Sequence, residues 1–195
     1  MTEILLLPQR KTLTRKEQIW AQSVCAGSSC RVQIVNKAEE LHAVYISLSG
    51  LAAHFPSTSN DRPIKRSGKF FRVHSARTIG RLEGASQLYE QAIYQTERPI
   101  PRFETQNVSV LAAIGAKKTG GRWDSHNLCK PLGDWLETVW LINDDSQAEI
   151  FVIKKTEYPQ DYKDQETTEI IIQRRSNVQV LNSAYYGAIR CAAIP

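Results

Sequence analysis

Residues 122–130, Arg-Trp-Asp-Ser-His-Asn-Leu-Cys-Lys, lead into the most regular apolar pattern of the chain. The apolar positions that follow have the spacing of one helix face: Leu128, Leu132, Trp135, Leu136 and Val139. A second acidic turn, Asn-Asp-Asp-Ser-Gln, occupies residues 143–147. Residues 148–154 are then rich in β-branched and aromatic side chains, which predicts a strand. This part of the chain therefore predicts turn, helix, turn and strand in that order.

The two acidic turns can form one cation site if the strand folds back along the helix. A helix of about 14 residues spans about 21 Å, so Asp124 and Asp145 cannot meet along the helix itself. Carboxylate oxygens are ligands for Mg²⁺, which activates water and offsets charge in phosphodiester hydrolysis, and a nearby ammonium such as Lys130 can also stabilise that charge. An ordinary helix start, an ordinary turn and an i, i+4 pair of Lys130 with Asp134 explain the same residues. Both interpretations stay open from spacing alone.

Residues 124–130, Asp134 and residues 144–147 together resemble the signature of the RusA-type crossover-junction (Holliday junction) endodeoxyribonucleases. In that family an Asp-x-Asp-Asn-x-x-Lys run opens a helix, an Asp follows within it, and an Asp-Asp-x-Gln turn comes at this same distance. The family's second motif Asp is replaced here by His126.

The resemblance implies a role for each matching residue. Asp124 and Asp145 would be the catalytic metal-binding carboxylates, and Lys130 the catalytic or DNA-contacting lysine. Asn127 would order the turn. The implied ligand set is Asp124, His126, Asp144 and Asp145, which would hold Mg²⁺. Since an imidazole is a borderline nitrogen ligand, Mn²⁺ would be preferred if the histidine is a ligand.

The most basic stretch of the chain runs from Arg62 to Arg81 and contains no acidic residue. Interleaved with Phe70 and Phe71, its cations predict contacts with DNA phosphates and unstacked bases. The predicted contacts are Arg62, Lys65, Arg66, Lys69 and Arg72, together with Lys117, Lys118 and Arg122 near the acidic turn. The alternative is that the aromatic rings enter the core while the cations are merely solvated.

Composition is compatible with a partner that is a polyanion. The formal net charge is +5 and the sequence pI is about 9.1, values that favour an anionic partner without proving one. No apolar run approaches the length of a membrane span, so no membrane partner and a cytoplasmic location are predicted. In that compartment the four cysteines are expected to be thiols.

The predicted fold class is α+β, a single domain with a β-α-β-α-β-β mixed sheet and helices packed on it. Strands are expected near residues 43–48, 107–114, 148–154 and 167–173, with a helix from Ser75 to about Gln95 before the helix of the motif. Residues 1–40 are assigned to an N-terminal extension, in which Thr14 opens a helix and residues 31–35 can form a strand. Residues 41–175 are expected to form a domain like that of the RusA-type enzymes. Residues 176–195 are expected to be an apolar tail packed on that domain or on a dimer partner.

The function implied by the resemblance is a metal-dependent, structure-selective endodeoxyribonuclease that resolves Holliday junctions by paired nicks in DNA recombination and repair. Such a four-way junction is close to two-fold symmetric, so the expected assembly is a C2 homodimer on branched DNA. The alternative is a branched-DNA-binding protein of the same fold with weakened catalysis, of which His126 would be the trace.

Overall fold

The computed structural model describes residues 12–55, 62–66, 69–73, 75–96, 98–117, 126–158 and 167–175. Three α-helices and seven strands follow one another along these residues: α1 Arg15–Ala26, β1 Ser28–Lys37, β2 Glu40–Gly50, β3 Arg62–Arg66, β4 Lys69–Val73, α2 Ala76–Gln95, β5 Val108–Lys117, α3 His126–Thr138, β6 Ala148–Tyr158 and β7 Thr167–Arg174. Short 3-10 turns lie at Leu51–Ala53 and Asp145–Gln147. The predicted α+β class is confirmed.

Five of the strands form one mixed sheet in the order β1-β2-β7-β5-β6. Neighbours pair antiparallel except β5 and β6, which are parallel and are connected through α3. From β2 onwards the main elements follow the predicted β-α-β-α-β-β order. β3 and β4 are inserted after β2 and pair with each other as a separate two-stranded hairpin.

One face of the five-stranded sheet, called here the helix face, carries the hydrophobic core. Alternation along the strands places residues such as Val44, Ile170 and Ala112 on this face, where they are buried with side chains from all three helices. Trp135 of α3 lies at the centre of the core. Its ring makes edge contacts with Phe55 and Tyr89 at centroid distances of 5.4 and 5.9 Å. α3 is thereby anchored to α2 and to the segment after β2.

Residues 15–37, which the sequence assigns to an extension, contribute α1 and β1 to this body. The predicted capping box at Thr14 is present, since its side chain accepts from the backbone of Glu17 while the Glu17 side chain accepts from the backbone N–H of Thr14. α1 packs closely on two glycines of α2. A Cβ atom at Gly80 would lie 2.4 Å from Cβ of Trp20, so this contact requires the absence of a side chain.

Residues 1–11 of the predicted N-terminal extension 1–40 and the whole predicted tail 176–195 lie outside the described residues. Within the described part of the chain, no helix has the length and apolar character needed to span a membrane.

Candidate functional site

α3 divides its side chains between the core and the surface. The predicted apolar face is buried, with relative exposures of 0–4% for Leu128, Leu132, Trp135, Leu136 and Val139. On another side of the helix, Lys130, Asp134 and Glu137 follow one another at i, i+4 and i+7. These three residues share one stripe of the helix surface. The buried face therefore fixes where the charged stripe points.

The chain reverses sharply after α3 through a Schellman motif. The backbone N–H of Leu141 donates to the carbonyl of Leu136, and that of Trp140 to the carbonyl of Glu137, both at 3.0 Å. Trp140 occupies the left-handed position with φ of 64°, which is unusual for a bulky side chain. The guanidinium of Arg102 lies 4.9 Å from the centroid of its ring. This turn sends the chain back toward the charged stripe.

Gln147 organises the acidic turn at residues 143–147. Its Oε1 accepts from the backbone N–H of Asn143 and Asp144 at 2.6 and 3.2 Å. Its Nε2 donates to the carbonyls of Phe103, Glu104 and Gln106 at 2.9 to 3.2 Å. The glutamine thus ties the turn to the segment before β5.

The turn brings Asp145 onto the charged stripe of α3. Its backbone N–H donates to Oε1 of Glu137 at 2.7 Å. A Cβ atom at Gly133 would lie 3.3 Å from Cβ of Asp145, so a glycine at this position leaves room for the close approach. Carboxylate oxygens of Asp134, Glu137 and Asp145 all lie within 4.8 Å of one another. We call these three residues the carboxylate cluster.

Lys130 places an ammonium group beside the carboxylate cluster. Its Nζ lies 2.8 Å from Oδ1 of Asp134 and 4.0 Å from Oδ2 of Asp145. The hydrogen bond and charge of Asp134 raise the pKa of Lys130 above its ordinary value. The lysine side chain is 67% exposed and that of Asp145 is 52% exposed. A solvent-borne ligand can therefore reach both groups.

The arrangement raises the pKa of Glu137. Burial raises the pKa of its carboxyl group, and the charges of Asp145, Asp134 and Asp144 raise it further, against the lowering effect of the hydrogen bond from the Asp145 backbone. Asp144 behaves differently because its side chain accepts from Ser146, which lowers its pKa. Asp144 therefore serves the turn, and it lies outside the carboxylate cluster.

Several predicted site residues lie outside the described part of the chain or have undescribed side chains. Asp124, Lys118 and Arg122 are outside it. For eight further residues the structure describes the backbone but not the side chain. His126 and Asn127 lie in the first turn of α3, and Lys117 ends β5. The other five lie on the β3–β4 hairpin: Arg62, Lys65, Arg66, Lys69 and Arg72. Gly133, which Asp145 approaches, is seven residues or about 10 Å along α3 from His126.

The structure brings together Lys130 and Asp145 from the predicted catalytic set, and it adds Glu137, which the sequence interpretation did not select. A signal for Glu137 is present in the sequence. It follows Asp134 at i+3 on the same stripe, where a second acidic residue is a poor choice for helix stability. Asp145 lies beside Asp134 and Glu137 because of the turn at Trp140. This turn has no glycine or asparagine at its left-handed position, so the sequence does not predict it.

Comparisons with known proteins add no functional assignment. No protein-family model and no curated protein matches the chain. Among solved structures, the chain is similar to the periplasmic domain of Helicobacter pylori MotB at 10% sequence identity, covering 84% of this chain and 89% of that chain with a TM-score of 0.31. A TM-score this low carries no argument about fold or function.

Proposed function

We propose that this protein is a metal-dependent, structure-selective endodeoxyribonuclease that nicks opposed strands of a four-way DNA junction. It would act in DNA recombination and repair, on DNA in the cytoplasm. The observation that carries the proposal is the meeting of Lys130 and Asp145. These residues are fifteen positions apart in the sequence, both belong to the motif that resembles RusA-type enzymes, and their side chains lie 4.0 Å apart.

The carboxylate cluster has the donor chemistry of a divalent-cation site. Three carboxylates with oxygens within 4.8 Å of one another offer the hard ligands that Mg²⁺ and Mn²⁺ accept. Asp134, Glu137 and Asp145 would hold the ion, with Asp124 and His126 as further candidates from the motif. When bound, the ion would supply an activated water and offset negative charge on the scissile phosphate.

The side chains of the chain itself supply the remaining functions. The ammonium of Lys130 would approach a non-bridging phosphate oxygen at the cluster and stabilise the charge that develops there. Glu137 holds the turn of Asp145 through its backbone N–H, so it positions a neighbouring ligand as well as offering its own oxygen. The net charge of +5 favours a polyanionic substrate.

The proposal is tested with a fluorescently labelled four-way junction, each strand labelled in turn. We expect symmetric nicks in two opposed strands with Mg²⁺ or Mn²⁺ and none with EDTA. Asp145→Asn should abolish nicking but leave junction binding in EDTA near that of the parent, because cations elsewhere supply most of the affinity. A homodimer should bind one junction, which analytical ultracentrifugation measures.

The matched control is Glu39→Gln, which removes one carboxylate charge from the turn between β1 and β2. It should cleave like the parent. Full cleavage by Asp145→Asn would refute the assignment of the site. Tight junction binding without cleavage in either metal would instead support the alternative of a catalytically weakened branched-DNA-binding protein.

A further inference from the structure

Arg102 precedes β5 and contacts the acidic turn through its guanidinium group. Its Nε donates to Oδ1 of Asn143 at 2.9 Å, and one of its terminal nitrogens donates to the same oxygen. The guanidinium carbon lies 4.9 Å from the centroid of the Trp140 ring, which is within the range of a cation–π contact. Two different side chains therefore hold this charged group.

The backbone beside Arg102 is also fixed. The next residue, Phe103, is buried, and its N–H donates to the carbonyl of Leu141 at 2.8 Å. Asn143 is held in turn, since its side-chain amide donates to the carbonyl of Glu104. The fold thus sets the position of the guanidinium before any ligand binds.

No carboxylate neutralises Arg102 within the described part of the chain. Asn143 supplies a neutral amide oxygen, and Trp140 supplies an uncharged ring. By contrast, Arg175 at the same end of the sheet pairs with Glu149. The ordered guanidinium of Arg102 therefore keeps its full positive charge for an anionic ligand.

The two carboxylates of the acidic turn are engaged elsewhere. Asp144 accepts from the backbone N–H of Ser146 at 2.8 Å. Asp145 belongs to the carboxylate cluster. Arg102 is therefore not the ion-pair partner of either residue.

The remaining N–H groups of Arg102 suit a phosphate. A guanidinium has five N–H donors, and two of them are used on Asn143. The other three have no acceptor among the described residues, and the side chain is partly exposed. A planar set of N–H donors with a permanent charge binds phosphate oxygens more strongly than neutral donors do.

The acidic turn brings Arg102 close to the proposed cation site. Asn143, which holds Arg102, is two residues from Asp145, so their Cα atoms are at most about 7 Å apart. Phosphates of one DNA strand recur about every 3.4 Å along the axis of a duplex. A strand with one phosphate at the carboxylate cluster therefore has neighbouring phosphates within the reach of Arg102.

We propose that Arg102 binds a backbone phosphate of the DNA strand whose scissile phosphate lies at the carboxylate cluster. This inference rests on the proposed function, and it adds a contact outside the predicted DNA-binding residues. Trp140 and Asn143 are positioning residues that hold the guanidinium. Because the contact is with a phosphate, Arg102 contributes affinity for DNA of any sequence.

The test measures binding of a fluorescently labelled four-way junction in EDTA over a range of salt concentrations. Arg102→Gln removes the charge but keeps an amide that can donate to Asn143. We expect about tenfold weaker binding and a slope of log affinity against log salt that is flatter by about 0.9. An unchanged slope would overturn the proposal.

The matched control is Arg98→Gln, which makes the same chemical change four residues earlier. The Nη1 of Arg98 donates to the carbonyl of Ile34 on β1, at the edge of the sheet opposite β6. This variant should bind the junction with the salt slope of the parent. Equal flattening by both variants would reflect net charge alone and would refute the phosphate contact.

Thermal unfolding of both variants tests whether Arg102 only braces the turn. In that case Arg102→Gln would lower Tm and leave the salt slope unchanged, and the proposal would be wrong. A flatter slope, with or without a change in Tm, supports the contact because turn stability alone does not alter the number of phosphates neutralised.

A second experiment identifies the phosphate. Each junction carries one uncharged methylphosphonate in place of one phosphate, moved one position at a time along the strand around the crossover. We expect one or two positions at which the parent loses about tenfold in affinity and Arg102→Gln loses none. Equal losses for both proteins at every position would contradict the assignment.

The nicking assay of the proposed function separates the two claims. If the parent nicks the junction while Arg102→Gln keeps the parent's salt slope, the phosphate contact is wrong and the nuclease assignment stands. If Arg102→Gln flattens the slope and the parent does not nick, the phosphate contact stands and the nuclease assignment is wrong. A parent that does not bind the junction at all would overturn both.

Discussion

Replacing Glu137 by glutamine should stabilise the metal-free protein and weaken its response to metal. The pKa of the Glu137 carboxyl group is raised by burial and then by neighbouring carboxylates. A raised pKa means that the folded state favours the neutral form of this group. Its ionisation therefore lowers stability as pH rises above the ordinary carboxyl range, and Glu137→Gln removes that loss at neutral pH.

The expected gain follows from the distances in the carboxylate cluster. Two charges within 4.8 Å repel by about 0.9 kcal/mol at the dielectric constant of water. Glu137 takes part in two such pairs, which amounts to about 1.7 kcal/mol. The neutral amide still accepts from the Asp145 backbone, but without charge assistance that bond is weaker by about 1 kcal/mol. Loss of the attraction between Glu137 and Lys130 opposes this gain. The net gain should therefore be at most about 0.5–1 kcal/mol, or about 1–4 °C in Tm for a chain of this size.

Bound metal should reverse the order of the melting temperatures of Glu137→Gln and the parent. An ion present at 100 times its Kd stabilises the folded parent by about 2.7 kcal/mol. If loss of one ligand weakens binding tenfold, the same concentration stabilises Glu137→Gln by only about 1.4 kcal/mol. The variant should thus melt above the parent in EDTA and below it, or level with it, in saturating Mn²⁺ or Mg²⁺.

Thermal unfolding followed by circular dichroism at pH 7 measures the Tm of each protein in EDTA and in saturating metal. Glu39→Gln is again the control, because it makes the same chemical change at a carboxylate outside the cluster. The reasoning is refuted if Glu137→Gln melts below the parent in EDTA, or if it retains the full metal-dependent rise in Tm.

Three further predictions concern DNA binding, metal preference and the acidic turn. Replacing Lys65, Arg66 and Lys69 together by alanine should flatten the slope of log affinity against log salt by up to about 0.9 for each phosphate that the protein no longer neutralises, measured by fluorescence anisotropy; an unchanged slope would place the DNA surface elsewhere. His126→Asp should lower the Mg²⁺ concentration needed for half-maximal cleavage and weaken any preference for Mn²⁺, whereas identical metal profiles for the parent, the aspartate and an alanine variant would exclude a ligand role. Gln147→Ala removes the hydrogen bonds that its amide oxygen accepts from two backbone N–H groups and those that its two amide N–H groups share among three carbonyls. It should cost about 2–4 kcal/mol in urea unfolding; a loss below about 0.5 kcal/mol would contradict its role in holding the turn.

Much of the secondary structure could be predicted because its signals are local. Thr14 and Ser75 are side-chain caps whose partners lie three residues away, and both predicted helix starts are confirmed. The order of strands in the sheet has no comparable signal. Placing β7 between β2 and β5 depends on pairing between residues more than fifty positions apart. The sequence predicts the elements and their mixed class, but not which strands are neighbours.

The candidate site was predictable to the extent that it depends on the motif. Lys130 and Asp145 were selected from it, and their side chains meet in the structure. The reason for their meeting was not predictable, since it requires Trp140 in a left-handed conformation and Gly133 facing the turn. Glu137 lies outside the motif. Its i+3 spacing from Asp134 is visible in the sequence, but its contact with Asp145 depends on that turn.

Like charges lie close together in the carboxylate cluster, and their repulsion lowers the stability of the fold. Asp134 and Glu137 lie in the last two turns of α3, which has no basic residue in its last turn, although the negative end of the helix dipole favours cations there. The side-chain hydrogen bonds of Gln147 and the left-handed backbone of Trp140 then hold a third carboxylate, Asp145, against the pair. Selection for stability alone would place a lysine at one of these positions. This repulsion is the unfavourable term that the proposed cation would offset. A divalent cation is the ligand whose charge would convert all three repulsions into attraction.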